Sequence, residues 1–106
     1  MKPFYRPQFL RDVEEGAEYV TDQAGSEAAL RWCDAVKAAV RLICQHPYIG
    51  RARPDLPFPA VRSLVLRDFD KYLVFYRVES QHVDFVRIKH GMTDLPALFD
   101  PETPDK

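Results

Sequence analysis

The stretch from Val61 to His90 constrains the fold more than any other, because it holds three apolar runs separated by short polar turns. The runs are rich in Val, Leu, Ile, Phe and Tyr, residue types that fit the pleated, half-buried surface of a sheet. Connections this short join consecutive strands in antiparallel order. The stretch therefore predicts a three-stranded antiparallel meander.

The second and third runs differ in how their apolar residues are spaced. Tyr72 to Val78 is apolar at almost every position, which predicts a central strand covered on both faces. The third run alternates, so Val86 and Ile88 are expected on one face and Phe85 on the other. It ends in the charged segment 87–91, so the sequence places charge at one end of the sheet.

Two amphipathic helices are predicted before the sheet. The first has an apolar stripe at Phe9, Leu10, Val13, Ala17 and Val20, with Asp12 assigned to the polar face. The second has its stripe at Ala29, Trp32, Cys33, Val36, Ala39, Val40 and Ile43. Gly25 is the predicted end of the first helix and Ser26 the predicted N-cap of the second. So short a link predicts an antiparallel hairpin.

Gly16 interrupts the first predicted helix, where Gly is about 1 kcal/mol less favourable than Ala. Its presence is consistent with another element packing closely at that position. A short first strand is predicted at 4–6, and the proline-rich segment 46–60 is predicted to be a loop.

The predicted order is β-α-α-β-β-β, an α+β domain in which the helical hairpin covers one face of a small sheet. The domain is expected to span residues 1–99. Residues 100–106 form an acidic C-terminal tail that is expected to fray.

Composition disfavours several classes of protein. No apolar run approaches the ~20 residues that span a bilayer, and the N-terminus lacks the apolar segment of a signal peptide. The expectation is a cytoplasmic protein without a membrane partner. The histidines and cysteines lack metal-ligand spacing, and no glycine-rich phosphate loop is present, so neither a metal nor another cofactor is expected.

The net charge of −1 argues against a general or sequence-specific nucleic-acid binder. Charge is unevenly distributed, however: residues 51–90 carry eight Lys/Arg and five Asp/Glu, and residues 91–106 carry one and four. This pattern is either an ordinary solvated surface or an anion-facing surface near the sheet.

Six blocks of the sequence resemble, in order and spacing, the RelE/ParE superfamily of bacterial toxins, and its ParE branch most closely. The blocks are Asp12 with Tyr19-Val20, Gly25 with Ala28-Ala29, His46 to Arg51, Val61 to Leu64, Tyr72 to Arg77, and Arg87 to Gly91 with Asp94. The resemblance extends from Phe4 to Phe99. It implies the fold described above and a type II toxin-antitoxin system, a kind associated with plasmid stabilisation.

The resemblance also implies partners. ParE-like toxins are neutralised by a small antitoxin encoded beside them, here a ParD-like protein, and characterised members of that branch poison DNA gyrase. The RelE branch instead cleaves mRNA on the ribosome. Three hypotheses remain open at this point: a gyrase-binding toxin without turnover of its own, a RelE-type endoribonuclease, and an inactive relative that binds only the antitoxin.

A nuclease would use His90 as acid or base, with Arg62, Arg87 and Lys89 holding the phosphate. The strand from Val61 to Arg67 offers no carboxylate as a base. RelE-branch enzymes hold the nucleotide with an aromatic or basic residue near the end of the chain. Here Gly91 follows His90, and Met92, Thr93 and Asp94 lead into an acidic tail. The sequence therefore favours a toxin with no catalytic residue. A structural His90, bonded to nearby backbone or to Asp94, is the alternative.

Two surfaces are assigned on this basis. The target-binding surface is expected at one end of the sheet and comprises Arg62, Arg67, Arg87, Lys89, His90, Asp94 and Phe99. The antitoxin is expected on an exposed apolar strip between the helical hairpin and the sheet edge, comprising Phe9, Leu10, Tyr19 and Phe58.

Overall fold

A mixed sheet with a helical hairpin on one face forms the fold of the computed structural model, which describes residues 1–91 and Phe99. The elements are β1 (Lys2–Tyr5), α1 (Pro7–Ala24), α2 (Ser26–Gln45), β2 (Arg51–Ala52), β3 (Arg62–Leu66), β4 (Phe69–Val78) and β5 (His82–His90). The sheet order is β1-β5-β4-β3-β2. The antiparallel pairs β3–β4 and β4–β5 confirm the predicted meander, and the α+β fold is confirmed with it.

The strand β2 was not predicted, because it lies inside the segment 46–60 that the sequence assigns to a loop. Arg51 pairs with Ser63 and Ala52 with Arg62, in antiparallel order. Two residues are too few to produce a period of two, and Pro54 follows almost at once, so the sequence pattern carries no strand signal here.

The first strand runs parallel to β5 and covers only its beginning. Lys2 to Tyr5 pair with His82 to Phe85, which leaves the rest of that edge of β5 without a strand. Helix α1 starts at Pro7 and packs against β5 beyond this point. The edge of the sheet therefore changes neighbour, from a strand to a helix, halfway along β5.

A single residue, Gly25, links the two helices. Its φ of 93° lies in a region that favours glycine. Its N–H donates to the carbonyl of Thr21 at 2.9 Å, and its own carbonyl accepts the N–H of Ala29 at 3.1 Å. Gly25 is thus both the C-cap of α1 and the N-cap of α2, and the predicted N-cap role of Ser26 is wrong.

Hydrophobic residues are buried on both faces of the sheet. On the helix side, Trp32 and Ile43 of α2 pack with Val74 and Tyr76 of β4. The opposite face buries a second cluster, formed by Leu56, Val61, Phe75, Val86 and Phe99. Neighbouring residues of β4 are buried on opposite faces, which confirms that β4 is covered on both sides.

A β-bulge in β5 changes which residues share a face. Phe75 pairs with Arg87 and Tyr76 with Phe85, so Val86 has no partner in the register. Val86 packs in the outer cluster, whereas Ile88 packs on the helix side. The predicted sharing of one face by Val86 and Ile88 is therefore wrong, because an extra residue resets the alternation.

Gly16 lies where α1 and α2 cross, as its position in the sequence indicated. A Cβ on Gly16 would lie 2.4 Å from Cη2 of Trp32, a fully buried side chain. Within residues 1–91, no helix is long and apolar enough to cross a membrane. The predicted tail at 100–106 lies outside the described residues, while Phe99 packs into the outer cluster.

We expect Gly16→Ala to destabilise the fold by about 1–3 kcal/mol, because the added methyl group overlaps the buried indole ring. Helix propensity alone would stabilise the variant by about 1 kcal/mol, so a decrease in the free energy of unfolding identifies the packing effect. Urea unfolding measures it. Gly91→Ala is the matched control, because its Cβ would make only ordinary contact, 3.4 Å from the carbonyl of Lys71. Equal stability of the two variants would contradict this account.

Candidate functional site

A buried carboxylate, Asp12 on α1, is the centre of the polar contacts between α1 and β5. Arg87 donates from Nε at 2.7 Å and from Nη2 at 3.1 Å. The backbone N–H of Ile88 donates at 3.2 Å, and Nζ of Lys89 lies 3.4 Å away. Asp12 is only 2% exposed, so its assignment to the polar face of the helix is wrong.

The position of Asp12 follows from the short length of β1. Strand β1 pairs with β5 no further than Phe85. Beyond that point, the edge N–H of Ile88 needs another acceptor, because an unpaired buried amide costs about 1–3 kcal/mol. Asp12 is that acceptor, and the two cations that flank Ile88 balance its charge.

Arg87 and Lys89 are therefore occupied within the chain. The side chain of Arg87 is 11% exposed and lies against Asp12, and Lys89 lies between Asp12 and Glu15, whose carboxylate is 3.6 Å away. Both were expected on the target-binding surface. Arg87 is too buried to form such a surface in this conformation, whereas Lys89 remains partly accessible.

Arg62 and Arg67 lie at opposite ends of β3. Arg62 pairs with Tyr76 and donates to the carbonyl of Gly50 at 2.8 Å, with its guanidinium 4.9 Å from the ring centre of Tyr48. Arg67 is in the turn before β4 and is exposed. They are five positions apart in sequence, which corresponds to about 16 Å along a strand. The expectation that the four cations share one end of the sheet is wrong, because Arg62 begins the strand that Arg67 follows.

His90 lies in a cleft between α1 and the end of the sheet. Its ring packs edge-on against Tyr72, with centroids 5.4 Å apart. The cleft has a volume of about 420 Å³, and its lining residues are Asp12, Glu15, Gly16, Tyr19, Tyr72, Ile88, Lys89 and His90. Burial raises the pKa of Tyr72, and nearby Tyr19 adds to this rise. The cleft thus gathers His90 and Lys89, but Arg62 is absent from it.

An apolar groove of about 770 Å³ lies where the helical hairpin meets β1. Its lining residues are Met1, Pro3, Tyr5, Phe9, Leu10, Val13, Val36, Lys37, Val40, Arg41, Cys44 and Gln45. Buried Phe9, Val36 and Val40 form its floor, and Leu10, which is 51% exposed, lies at its rim. The groove occupies the place where the sequence predicts an apolar strip.

The four residues assigned to that strip do not share one surface. Phe9 is 1% exposed, so its predicted exposure is wrong, although it remains accessible as part of the groove floor. Tyr19 is exposed but lines the cleft beside His90. Phe58 lies on the opposite face of the sheet, between the guanidinium groups of Arg6 at 5.2 Å and Arg77 at 4.9 Å. Only Phe9 and Leu10 line the groove.

Phe99 and Asp94 complete the predicted target-binding set. Phe99 is 4% exposed, with its ring 5.2 Å from that of Phe75 and 5.9 Å from that of Phe58. It fills the outer hydrophobic cluster in this conformation, and its role in target binding stays a prediction. Asp94 lies outside the described residues.

Sequence reasoning did not identify the role of Tyr76, which holds the connection between α2 and β2. Its hydroxyl donates to the carbonyl of Pro47 and accepts the N–H of Gly50, both at 2.8 Å. Burial raises the pKa of this hydroxyl. A Cβ at Gly50 would lie 2.5 Å from the same oxygen, so the pair Gly50 and Tyr76 is sterically matched. The sequence signal for this contact is a glycine within the proline-rich segment 46–60.

The groove and the cleft are the candidate binding surfaces among the described residues. Across residues 1–91 and Phe99, no group of three His, Cys, Asp or Glu side chains is arranged to hold a metal ion. Arg87 and Lys89, which precede His90 on β5, bind a carboxylate of α1. The groove and the cleft both present accessible apolar or aromatic groups.

Comparison with known proteins identifies a family. Residues 4–95 match the profile described as "ParE toxin of type II toxin-antitoxin system, parDE". No curated protein matches the sequence. A solved structure titled "Chromosomal ParDE TA system from P. aeruginosa" has the same fold, with a TM-score of 0.72 and 22% identity, over 85% of this chain and 95% of that chain.

We expect Asp12→Asn to destabilise the protein by about 3–5 kcal/mol, because the change leaves the guanidinium of Arg87 buried without a counter-charge. Urea unfolding measures the loss. Glu15→Gln is the control, since Glu15 also pairs with Lys89 but its side chain is 58% exposed, and it should cost less than about 1 kcal/mol. Similar losses in the two variants would show that Asp12 is not the central contact.

Proposed function

This chain belongs to the ParE toxin family of type II toxin-antitoxin systems, and on that premise we propose that it inhibits DNA gyrase and is neutralised by a ParD-like antitoxin encoded with it. The observation that supports the proposal most is the length of the family match, residues 4–95, which includes both helices and the strands β2 to β5. The toxin acts as a protein ligand of gyrase, without turnover of its own.

The geometry favours binding over RNA cleavage. A nuclease of the kind considered above requires Arg62, Arg87, Lys89 and His90 around one phosphate. Arg62 lies at the opposite end of β3 from the cleft that contains His90. Arg87 is held by Asp12 and has little exposure to solvent, so it is not available to hold a phosphate.

The gyrase contact lies at the end of the sheet where β5 finishes. Arg67, Lys89 and His90 are at this end, and Tyr19 extends the surface from α1 with 56% of its area exposed. Tyrosine and arginine are among the residue types that contribute most at protein interfaces. Asp94, from the same predicted set, belongs to the segment that follows β5.

The antitoxin lies in the groove between the hairpin and β1. The groove offers an apolar floor that stays open in the lone chain, with exposed Leu10 at its rim. A hydrophobic groove between helices fits the apolar face of an amphipathic segment. The cleft at the sheet end and the groove share α1 but not their lining residues.

We expect the purified chain to block supercoiling of relaxed plasmid DNA by gyrase, and the antitoxin to restore it. Arg67→Glu should weaken inhibition several-fold, since reversing a charge at the rim of an interface slows association. Arg51→Glu is the matched control, because Arg51 is exposed on β2, away from this end. Unimpaired supercoiling in the presence of excess folded protein would refute gyrase as the target. Equal effects of the two variants would refute the surface.

We expect Leu10→Asn to weaken antitoxin binding by about tenfold or more, because it removes an apolar contact at the rim of the groove. Leu30→Asn is the matched control: Leu30 is on α2, is 66% exposed and does not line the groove. Titration calorimetry with the antitoxin measures both. If Leu30→Asn weakens binding and Leu10→Asn does not, the antitoxin does not bind in the groove.

A further inference from the structure

The charged side chains that line the groove are all positive. Lys37 and Arg41 belong to the lining, and none of the Asp or Glu residues that the structure describes does. The acidic residues of α1 lie elsewhere: Glu14, Glu15, Glu18 and Asp22 line a separate depression. A chain with a net charge of −1 therefore has a locally positive groove.

Lys37 and Arg41 form a pair along α2. They are four residues apart, so they lie on one side of the helix, about 6 Å apart along its axis. Both are exposed, and neither takes part in an ion pair among the described residues. Arg53, Arg87 and Lys89, by contrast, each bind a carboxylate of the same chain.

The opposite side of the groove is apolar. Leu10 and Val13 of α1 line that side, and the buried residues Val36 and Val40 of α2 form the floor. The groove is thus asymmetric: one wall is apolar, the floor is apolar, and the other wall carries two cations one helical turn apart. A partner that fits must therefore have an apolar face and, beside it, a negatively charged flank.

We propose that the groove selects an amphipathic helix with two carboxylates, one turn apart, along the flank that faces Lys37 and Arg41. This inference rests on the proposed function, because the occupant is a segment of the antitoxin. A helix presents apolar residues at positions i, i+3, i+4 and i+7 together with a charged flank. An extended strand would turn every second side chain away from the groove.

The carboxylates mainly affect the rate at which the partner associates and the orientation in which it binds. An exposed ion pair contributes little to affinity. Complementary charge at an interface raises the association rate and fixes register, and salt weakens this effect. The expected signature is therefore in the association rate at low salt rather than in the dissociation rate.

The test uses the protein encoded beside the gene for this chain as the probe, with association measured by stopped flow. At low salt, we expect Arg41→Glu to slow association by about tenfold, and Lys37→Glu with Arg41→Glu to slow it further. The difference from the wild type should shrink towards about 1 M salt, where the Debye length falls to about 3 Å.

Arg31→Glu is the matched control, because it reverses the same charge on the same helix. Arg31 is exposed and does not line the groove. A second arm replaces the acidic flank of the antitoxin helix by lysines, which should restore fast association with the double charge-reversal variant. Circular dichroism establishes that each variant is folded before its rates are compared.

The outcomes separate the two proposals. If the wild type binds the antitoxin but Arg41→Glu and Arg31→Glu slow association equally, the inference is wrong and the antitoxin partnership still holds. Rescue by the lysine-flanked antitoxin supports the inference, and failure of that rescue overturns it. If the neighbouring protein does not bind the wild-type chain at all, both the antitoxin partnership and the inference are wrong.

Discussion

The carboxylate of Asp12 joins the helical hairpin to the sheet at the point where β1 no longer covers β5. It accepts hydrogen bonds from Arg87 and from the backbone of Ile88, and it pairs with Lys89. Replacing such a buried pair by apolar residues can be neutral, but removing one partner costs about 3–5 kcal/mol. The contact therefore fixes where α1 lies, and the positions of both the groove and the cleft follow from that.

Features with a local cause could be predicted from the sequence. The meander and both helices depend on periodic apolar residues within one segment, and Gly16 marked a close packing that Trp32 fills. The missed features depend on residues far apart in the chain. Asp12 looks like a surface residue in its helix, because its partner Arg87 is 75 residues later. The bulge at Val86 is likewise set by pairing with β4, not by its neighbours in sequence.

The candidate surfaces were harder to predict than the fold, because the function of a charge depends on whether the chain already pairs it. The sequence predicts Arg62 and Arg87 as binding cations near one end of the sheet, yet both form contacts within the fold. Lys37 and Arg41 are not among the site residues that the sequence predicts. For the role proposed above, the sequence signal is their spacing of four residues beside the apolar Val36 and Val40.

Helix α1 contributes to both proposed surfaces, so their relative position is set by how it packs. Leu10 and Val13 line the groove, while Tyr19 lines the cleft. Asp12 and Gly16, which lie between Leu10 and Tyr19 in sequence, pack the helix against β5 and α2. A partner that shifts α1 has to offset the buried contacts of Asp12, about 3–5 kcal/mol. A partner that lies in the groove with α1 in place has no such cost, and this difference favours neutralisation by covering the toxin rather than by deforming it.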